Sequence, residues 1–177
     1  MASKDTIIRR KFKDSIPRPR KELMSIKGKT VIVIRDAKTK KILNKYEIEN
    51  VVTQNGFDVF ASRIASPWEI NEYTGHFFMM LGTGTGTPSS GDTDLFAPIS
   101  ETKKEGARSK VAYNQVQYYV RYLPEEANGY TFTELGIFEN APSDLSTGVM
   151  INHLLIEPPI TKTSDILVDF YVNFYLS

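Results

Sequence analysis

The last fourteen residues, SDILVDFYVNFYLS at 164–177, constrain the fold more than any other segment. Six apolar residues occupy every second position, which predicts a β-strand: Ile166, Val168, Phe170, Val172, Phe174 and Leu176. The opposite face carries Asp169 and Asn173 together with Leu167, Tyr171 and Tyr175. We therefore expect this second face to be covered as well, by a second sheet, a helix or another subunit. A chain with such a strand is expected to form a layered β-structure.

Further strands are predicted along the chain by alternation or by short apolar runs. Residues 30–49 predict a hairpin with its turn at Asp36–Lys40, and residues 76–81 predict a short buried strand. Residues 108–123 alternate with a change of face near Gln115–Gln117, which predicts one strand with a bulge or bend. Residues 130–139 and 148–156 predict two more strands. With about seven strands and turn signals between them, the pattern favours a sandwich or a barrel.

One helix is predicted at about residues 55–65, with its apolar stripe against a sheet. Thr53 or Asn55 can cap its start, and Pro67 is expected to end it. The predicted fold is therefore a mainly β, antiparallel β-sandwich at residues 30–177 with one short α-helix. An extended basic arm is predicted at residues 1–29.

Composition bounds the classes of protein that the chain can represent. The 177 residues are 41% hydrophobic and 24% charged, as in a single globular domain. The absence of cysteine excludes disulfides, thiolate metal sites and cysteine catalysis. No apolar stretch approaches the roughly 20 residues that span a bilayer, and no secretory signal is recognisable. We expect no membrane, metal or cofactor partner.

The N-terminal arm is strongly basic. Residues 1–29 contain ten lysines or arginines and three acidic residues, whereas the whole chain has a net charge of +1. The arm is either a disordered solubilising tail or a docking segment that orders on a partner, and its several apolar residues favour docking. The candidate partner-binding residues are Arg9, Arg10, Lys11, Phe12, Arg18, Arg20 and Lys21.

A glycine-rich loop follows the apolar run at 76–81. Gly82 and Gly84 fit the first two positions of a dinucleotide fingerprint, but Thr87 stands where the third glycine is required. The lysine of a phosphate-binding Walker loop is missing too. We interpret Gly82, Gly84, Pro88 and Asp92 as a structural loop. In this interpretation Asp92 caps a turn, and Leu95 and Phe96 plug the core.

Other catalytic patterns are weak, so no enzyme is expected. His76 and His153 each lie in an apolar strand pattern and are interpreted as structural histidines. No carboxylate pair can be given acid and base roles from its spacing. The tyrosines alternate within strands with few basic residues among them, so nucleic-acid binding is not favoured.

Four segments in a fixed order resemble a group of tailed-phage virion proteins that includes the N-terminal domains of tail-collar fibre proteins. They are ENVVTQNGFDVFASRIA, FFMMLGTGTGTPSSGDTDL, YTFTELGIFENA and GVMINHLLIEPPITKTSDILVDFYVNF. The residues that match the group's pattern are Asn50, Thr53, Gly56, Leu81, Gly82, Gly84, Pro88, Asp92, Thr93, Leu95, Phe132, Glu134, Gly136, Ile137, Phe138, Pro158, Pro159, Ile160 and Lys162. The resemblance covers about residues 30–176. Related chains often carry glycine in the hairpin turn where Lys40 stands here.

This resemblance implies a non-enzymatic structural protein of a phage virion, assembled into a symmetric homo-oligomer such as a trimer. A capsid decoration or cement role, contacting the major capsid protein through the basic arm, is slightly favoured over a tail, collar or baseplate role. We expect Glu134 to bond a backbone N–H or a basic partner, and Pro158 and Pro159 to lie at a sheet edge or crossover. Trp68 and Tyr73, in the segment PWEINEYTG, are further interface candidates, and as aromatic residues they leave a carbohydrate- or receptor-binding sandwich open.

Overall fold

The computed structural model describes residues 25–65 and 76–177, without the side chains of residues 64 and 65. In that part of the chain it contains one helix and nine strands. They are β1 (Ile26–Asp36), β2 (Ile42–Val52), α1 (Gln54–Ala65), β3 (His76–Gly82), β4 (Pro98–Lys104), β5 (Ala107–Ala112), β6 (Gln115–Tyr122), β7 (Thr131–Ala141), β8 (Val149–Thr161) and β9 (Ile166–Leu176).

The strands form one antiparallel sheet in the order β4-β3-β7-β8-β2-β1-β9-β6-β5. Strand β2 joins the two halves, because it pairs with β1 as far as Asn50 and then with β8 through Val51 and Val52. The halves pack face to face around one large core, where the rings of Phe77 and Tyr118 lie 4.8 Å apart. The mainly β sandwich is confirmed, with nine strands in place of about seven.

Strand β9 lies inside the sheet, paired with β1 on one side and β6 on the other. Its predicted inner face is buried, with Phe170, Val172 and Phe174 fully enclosed. On the outer face Asp169 is also fully buried. Polar side chains of the neighbouring strands cover it, so no further layer is needed to bury this position.

Helix α1 begins as its sequence predicts. The Thr53 hydroxyl oxygen accepts a hydrogen bond from the Gly56 N–H at 3.0 Å, which is the capping contact expected of threonine. The same hydroxyl donates to the Met150 carbonyl at 2.5 Å and fastens the helix start to β8. Phe60 packs its ring 5.2 Å from that of Phe174, so the helix covers the inner face of β9. The predicted end at Pro67 lies outside the described residues.

Two local predictions were wrong, and one strand was missed. Residues 108–123 form the hairpin of β5 and β6, which reverses at residues 113–114, instead of one bent strand. Strand β4 was not predicted, because it buries only Ile99 and Thr102 and so lacks an apolar alternation. Leu95 is buried as expected, whereas Phe96 is 46% exposed and does not plug the core.

The boundary of the N-terminal arm also moves. Residues 26–29, assigned to the arm from sequence, are part of β1 and pair with β9. The N–H of Ser25 donates to the Ser177 carbonyl at 2.7 Å, and the N–H of Ser177 donates back at 2.9 Å. The seven candidate partner-binding residues of the arm lie outside the described residues.

Candidate functional site

The glycine loop is held by one buried carboxylate. Glu134, on β7, is fully buried. Its Oε1 accepts hydrogen bonds from the N–H groups of Gly84 at 2.9 Å and Ala97 at 2.8 Å. Its Oε2 accepts from the N–H of Phe96 at 2.9 Å. Both ends of the loop are therefore fixed to the same side chain, and the backbone bonding expected of Glu134 is present.

A histidine extends this cluster toward the outer part of the loop. His153 lies on β8, beside β7, and its Nε2 is 3.0 Å from Oε2 of Glu134. Its Nδ1 is 2.6 Å from Oδ2 of Asp92. Asp92 in turn accepts hydrogen bonds from the Ser89 N–H at 2.8 Å and the Ser89 hydroxyl at 2.7 Å. Together Asp92, His153 and Glu134 form a continuous chain, which we call the acid–histidine chain.

The surroundings favour the charged form of Asp92. Partial burial, the largest single influence, favours the neutral acid, but the hydrogen bonds from Ser89 and His153 outweigh it. The pKa of Asp92 is consequently held below its ordinary value. An ionised carboxylate strengthens the hydrogen bonds from Ser89 and His153, and the loop is therefore held most firmly when Asp92 is charged.

The glycines are required because the loop lies directly on the carboxylate. A Cβ at Gly82 would lie 2.3 Å from Oε1 of Glu134, and a Cβ at Gly84 would lie 2.6 Å from the same atom. The ring of Phe96 lies 4.8 Å from that of His153 and closes the cluster from the solvent side. Of the four residues predicted to form a structural loop, Gly82, Gly84 and Asp92 take part in this arrangement. Pro88 lies between them, half-buried.

The acid–histidine chain contains the residue types of the acid–base relays of enzymes, but a substrate in solution cannot reach its histidine. Both ring nitrogens of His153 already face carboxylates, and the His153 and Glu134 side chains have no solvent exposure. The two nitrogens point away from each other, so the carboxylates do not converge with them on a common metal position. The geometry is suited to joining the loop, β7 and β8 into one rigid unit.

The remaining interface candidates are not brought into this cluster. Pro158 and Pro159 lie within β8, exposed, between Leu155 and Ile160, where the pairing with β7 shifts its register. They were expected at an edge or crossover, and they occupy a strand irregularity instead, which is another place where a residue lacking an N–H is tolerated. Trp68 and Tyr73 lie outside the described residues.

Two polar clusters were missed in the sequence. On the outer face, Asp169 accepts hydrogen bonds from Arg35, Tyr119 and Arg121 at 2.6–3.1 Å. Burial alone would raise the pKa of Asp169, but these donors hold it below its ordinary value. Burial, followed by the bond to Asp169, raises the pKa of Tyr119 to about 12. Elsewhere, buried Glu139 pairs with Arg63 of α1 and Arg108 of β5.

Two cavities flank helix α1. One, of about 360 Å³, is an apolar groove between the helix and strands β5 and β6, and it includes Phe60, Ser109 and Val116. The other, of about 510 Å³, lies between the helix and the start of β1, and it includes Asn50 and Phe57. Asn50 stood in the first of the four resembling segments, and that was the only sequence signal for this second cavity.

Comparisons with protein-family models, curated proteins and solved structures gave no match to this chain. Within residues 25–65 and 76–177, no helix is long and apolar enough to cross a membrane.

Proposed function

We propose that this chain is a non-enzymatic structural protein of a tailed-phage virion, acting as an oligomer. Its most favoured role is capsid decoration through the basic N-terminal arm. The observation that carries the proposal is the acid–histidine chain, because its members Asp92, Glu134 and His153 come from three of the four resembling segments. The hydrogen bonds of these side chains fix a loop to two strands, as a rigid assembly module requires.

Other residues from the resembling segments also serve the framework. Thr53 caps α1 and bonds to β8. The ammonium of Lys162 is enclosed and donates to the Asn128 side chain at 3.1 Å and the Thr163 carbonyl at 2.9 Å, at the end of the β6–β7 connection. Burial is the main reason that the pKa of Lys162 falls below its ordinary value. A buried lysine that bonds carbonyl oxygens stabilises a turn, so it supports a structural role.

The arm supplies the proposed means of attachment. Because Ser25 is fixed to Ser177, the arm starts from a defined point on the sheet. Its excess of basic residues suits an acidic partner surface, and electrostatic complementarity raises association rates and selects partners. A tail, collar or baseplate component with the same arm is the alternative, and it differs in the number of copies per particle.

The copy number per virion tests the proposal. Quantitative mass spectrometry of purified particles compares the chain with the major capsid protein. A ratio near that of a lattice component supports capsid decoration, whereas a small symmetric number per particle places the chain in the tail, collar or baseplate. Absence from purified particles rejects the virion proposal.

An arm deletion tests the mechanism of attachment. Removal of residues 1–24, and not 1–29, leaves β1 intact because the strand starts at Ile26. The shortened chain is expected to keep the circular dichroism spectrum of the full chain and to lose binding to particles. A matched control replaces Arg9, Arg10 and Lys11 by glutamine, which keeps the arm length and removes charge. Unchanged particle binding by the shortened chain refutes the role of the arm.

A further inference from the structure

The cavity of about 510 Å³ lies at a fork in the sheet. The pairing between β1 and β2 ends at Gly28 and Asn50. Beyond them Val51 and Val52 turn to β8, whereas Ile26 and Lys27 pair with β9. Within the described chain, the strand edges that face the fork therefore have no strand partner. We call this opening the fork cleft.

An unpaired side chain lies at the base of the fork cleft. Asn50 is 8% exposed, and neither its Oδ1 nor its Nδ2 has a hydrogen-bond partner among the described residues. A buried amide without partners carries a desolvation cost, so such groups are uncommon unless something else pairs with them. Gly28 leaves the room that Asn50 occupies, because a Cβ there would lie 2.3 Å from Nδ2.

The chemistry of the fork cleft fits an extended polypeptide. A carboxamide offers an N–H donor and a carbonyl acceptor in one plane, and this matches the donor and acceptor of a backbone. Ile26, Val52 and Phe57 form apolar walls for side chains. Free strand edges are a common acceptor of an added strand.

We propose that the fork cleft binds residues 1–24 of a neighbouring copy, with the Asn50 carboxamide bonded to the backbone of that segment. The arm joins the sheet beside the cleft, since Ile26, the first residue of β1, lines it. Fully extended, its 24 residues reach roughly 80 Å, which is enough to cross to another subunit. Its apolar residues are spaced so that some can meet the apolar walls: Ile7, Ile8, Phe12, Ile16 and Leu23. This inference deepens the oligomer of the proposed function and rests on it.

A neighbouring copy is favoured over the chain's own arm for a local reason. Ser25 bonds to Ser177 through both its N–H and its carbonyl, so the chain still follows the direction of β1 as it leaves the sheet. Residues 20–24, Arg-Lys-Glu-Leu-Met, include none of the residue types that favour a tight turn back. Without a turn signal, this segment is expected to reach the fork cleft of another copy more readily than its own.

Photo-crosslinking of the full chain tests this exchange. Benzoylphenylalanine replaces Lys27, an exposed residue at the fork cleft. Isotopically light and heavy batches are mixed before irradiation, and crosslinked peptides are identified by mass spectrometry. Crosslinks from position 27 to residues 1–24 of the other batch are expected. Crosslinks within one copy only, or none to residues 1–24, overturn the inference.

The same substitution at Ser109 is the matched control for location. Ser109 is an exposed residue of the apolar groove on the other side of α1. We expect at least about tenfold fewer crosslinks to the arm from position 109 than from position 27, equivalent to about 1.4 kcal/mol. Equal yields from the two positions mean non-specific contact and overturn the inference.

A pair of variants separates recognition from stability. Asn50→Leu removes the carboxamide at similar volume, and Thr30→Val removes another buried group without a partner in the described chain, a hydroxyl away from the cavity lining. Both variants are expected to unfold at no lower urea concentration than the parent. Only Asn50→Leu is expected to reduce crosslinking from position 27, by about tenfold. If Asn50→Leu does not fold, crosslinking in the chain that retains Asn50 still decides the question.

The results distinguish this inference from the proposed function. Exchange between copies in solution, combined with absence from virions, keeps the fork cleft assignment and rejects the virion role. Presence in virions without crosslinks between copies keeps the virion role and rejects arm exchange.

Discussion

Replacement of Glu134 by glutamine tests whether one carboxylate holds the glycine loop. The carboxylate accepts three backbone hydrogen bonds, from Gly84, Phe96 and Ala97, and contacts His153. Glutamine keeps one acceptor oxygen, which can still serve Gly84 and Ala97. Its NH₂ group can donate to the His153 ring if the ring carries its proton on the side of Asp92. The same NH₂ group then faces the N–H of Phe96, so two donors oppose each other.

The magnitude follows from this count. One buried backbone N–H loses its acceptor, at a cost of about 1–3 kcal/mol, and two retained bonds lose the strength that a charged acceptor gives, about 0.5–1 kcal/mol each. Glu134→Gln is therefore expected to lower the free energy of unfolding by about 3 kcal/mol. Hydrogen bonds to charged groups are stronger than neutral ones, which is why a substitution of equal size still matters here.

Urea unfolding followed by circular dichroism measures the change, at one fixed protein concentration. Glu47→Gln is the matched control, since the partners of Glu47 among the described residues are Lys29 and Lys45, on the exposed sheet surface. It is expected to leave the unfolding midpoint unchanged. Amide hydrogen exchange adds a local test, because the N–H of Phe96 is expected to lose protection first. Equal midpoints for the two variants, with protection retained at Phe96, would refute the reasoning.

Three further predictions concern the loop, a turn and the outer face. Gly84→Ala is expected to destabilise by about 1–3 kcal/mol, because the new Cβ would lie 2.6 Å from a carboxylate oxygen, whereas Gly91→Ala, with its closest neighbour at 3.8 Å, should be neutral in thermal unfolding. Lys40 has φ 61°, so Lys40→Gly is expected to raise stability by up to about 1 kcal/mol, while Lys41→Gly should lower it. The lowered pKa of Asp169 contributes stability that is complete above its ordinary pKa and is lost as pH falls below about 4. Asp169→Asn should therefore flatten the acid branch of the stability profile between about pH 5 and pH 2, and an unchanged slope would contradict this assignment.

The regular elements could be predicted where the local pattern coincides with burial. Strand β9 alternates because its inner face meets the core, and the start of α1 is marked by a threonine whose hydroxyl does cap the helix. Strand β4 was not predicted, and β5 was predicted only as part of one strand with β6. They end the sheet order, and β5 is exposed along its whole length, so burial imposes no alternation on its sequence.

The contacts of the site depend on separations that the sequence does not display. His153 was interpreted as a structural histidine from its apolar neighbours, but its two partners lie 19 and 61 residues away. Glu134 was predicted to bond a backbone N–H or a basic partner, without any indication that the donors would come from the glycine loop. Glu134 meets the loop because β7 pairs with β3, where Gly82 lies opposite Glu134, and it meets His153 because β7 also pairs with β8. Both pairings are properties of topology and not of spacing.

Two buried asparagines, Asn50 and Asn173, differ in whether the described chain supplies hydrogen-bond partners for their side chains. Asn173 is also buried, and its carbonyl oxygen accepts hydrogen bonds from Gln115 and Gln117 at 2.9 Å, so its burial is explained within the subunit. Asn50 is also buried, with 8% exposure against 4% for Asn173, and the described chain offers its side chain no hydrogen-bond partner. Thr30, Arg63, Asn140 and Asn152 each leave one buried polar atom unpaired, but among the described residues Asn50 alone leaves two. The fork cleft is consequently the place where a missing partner of this subunit is best sought.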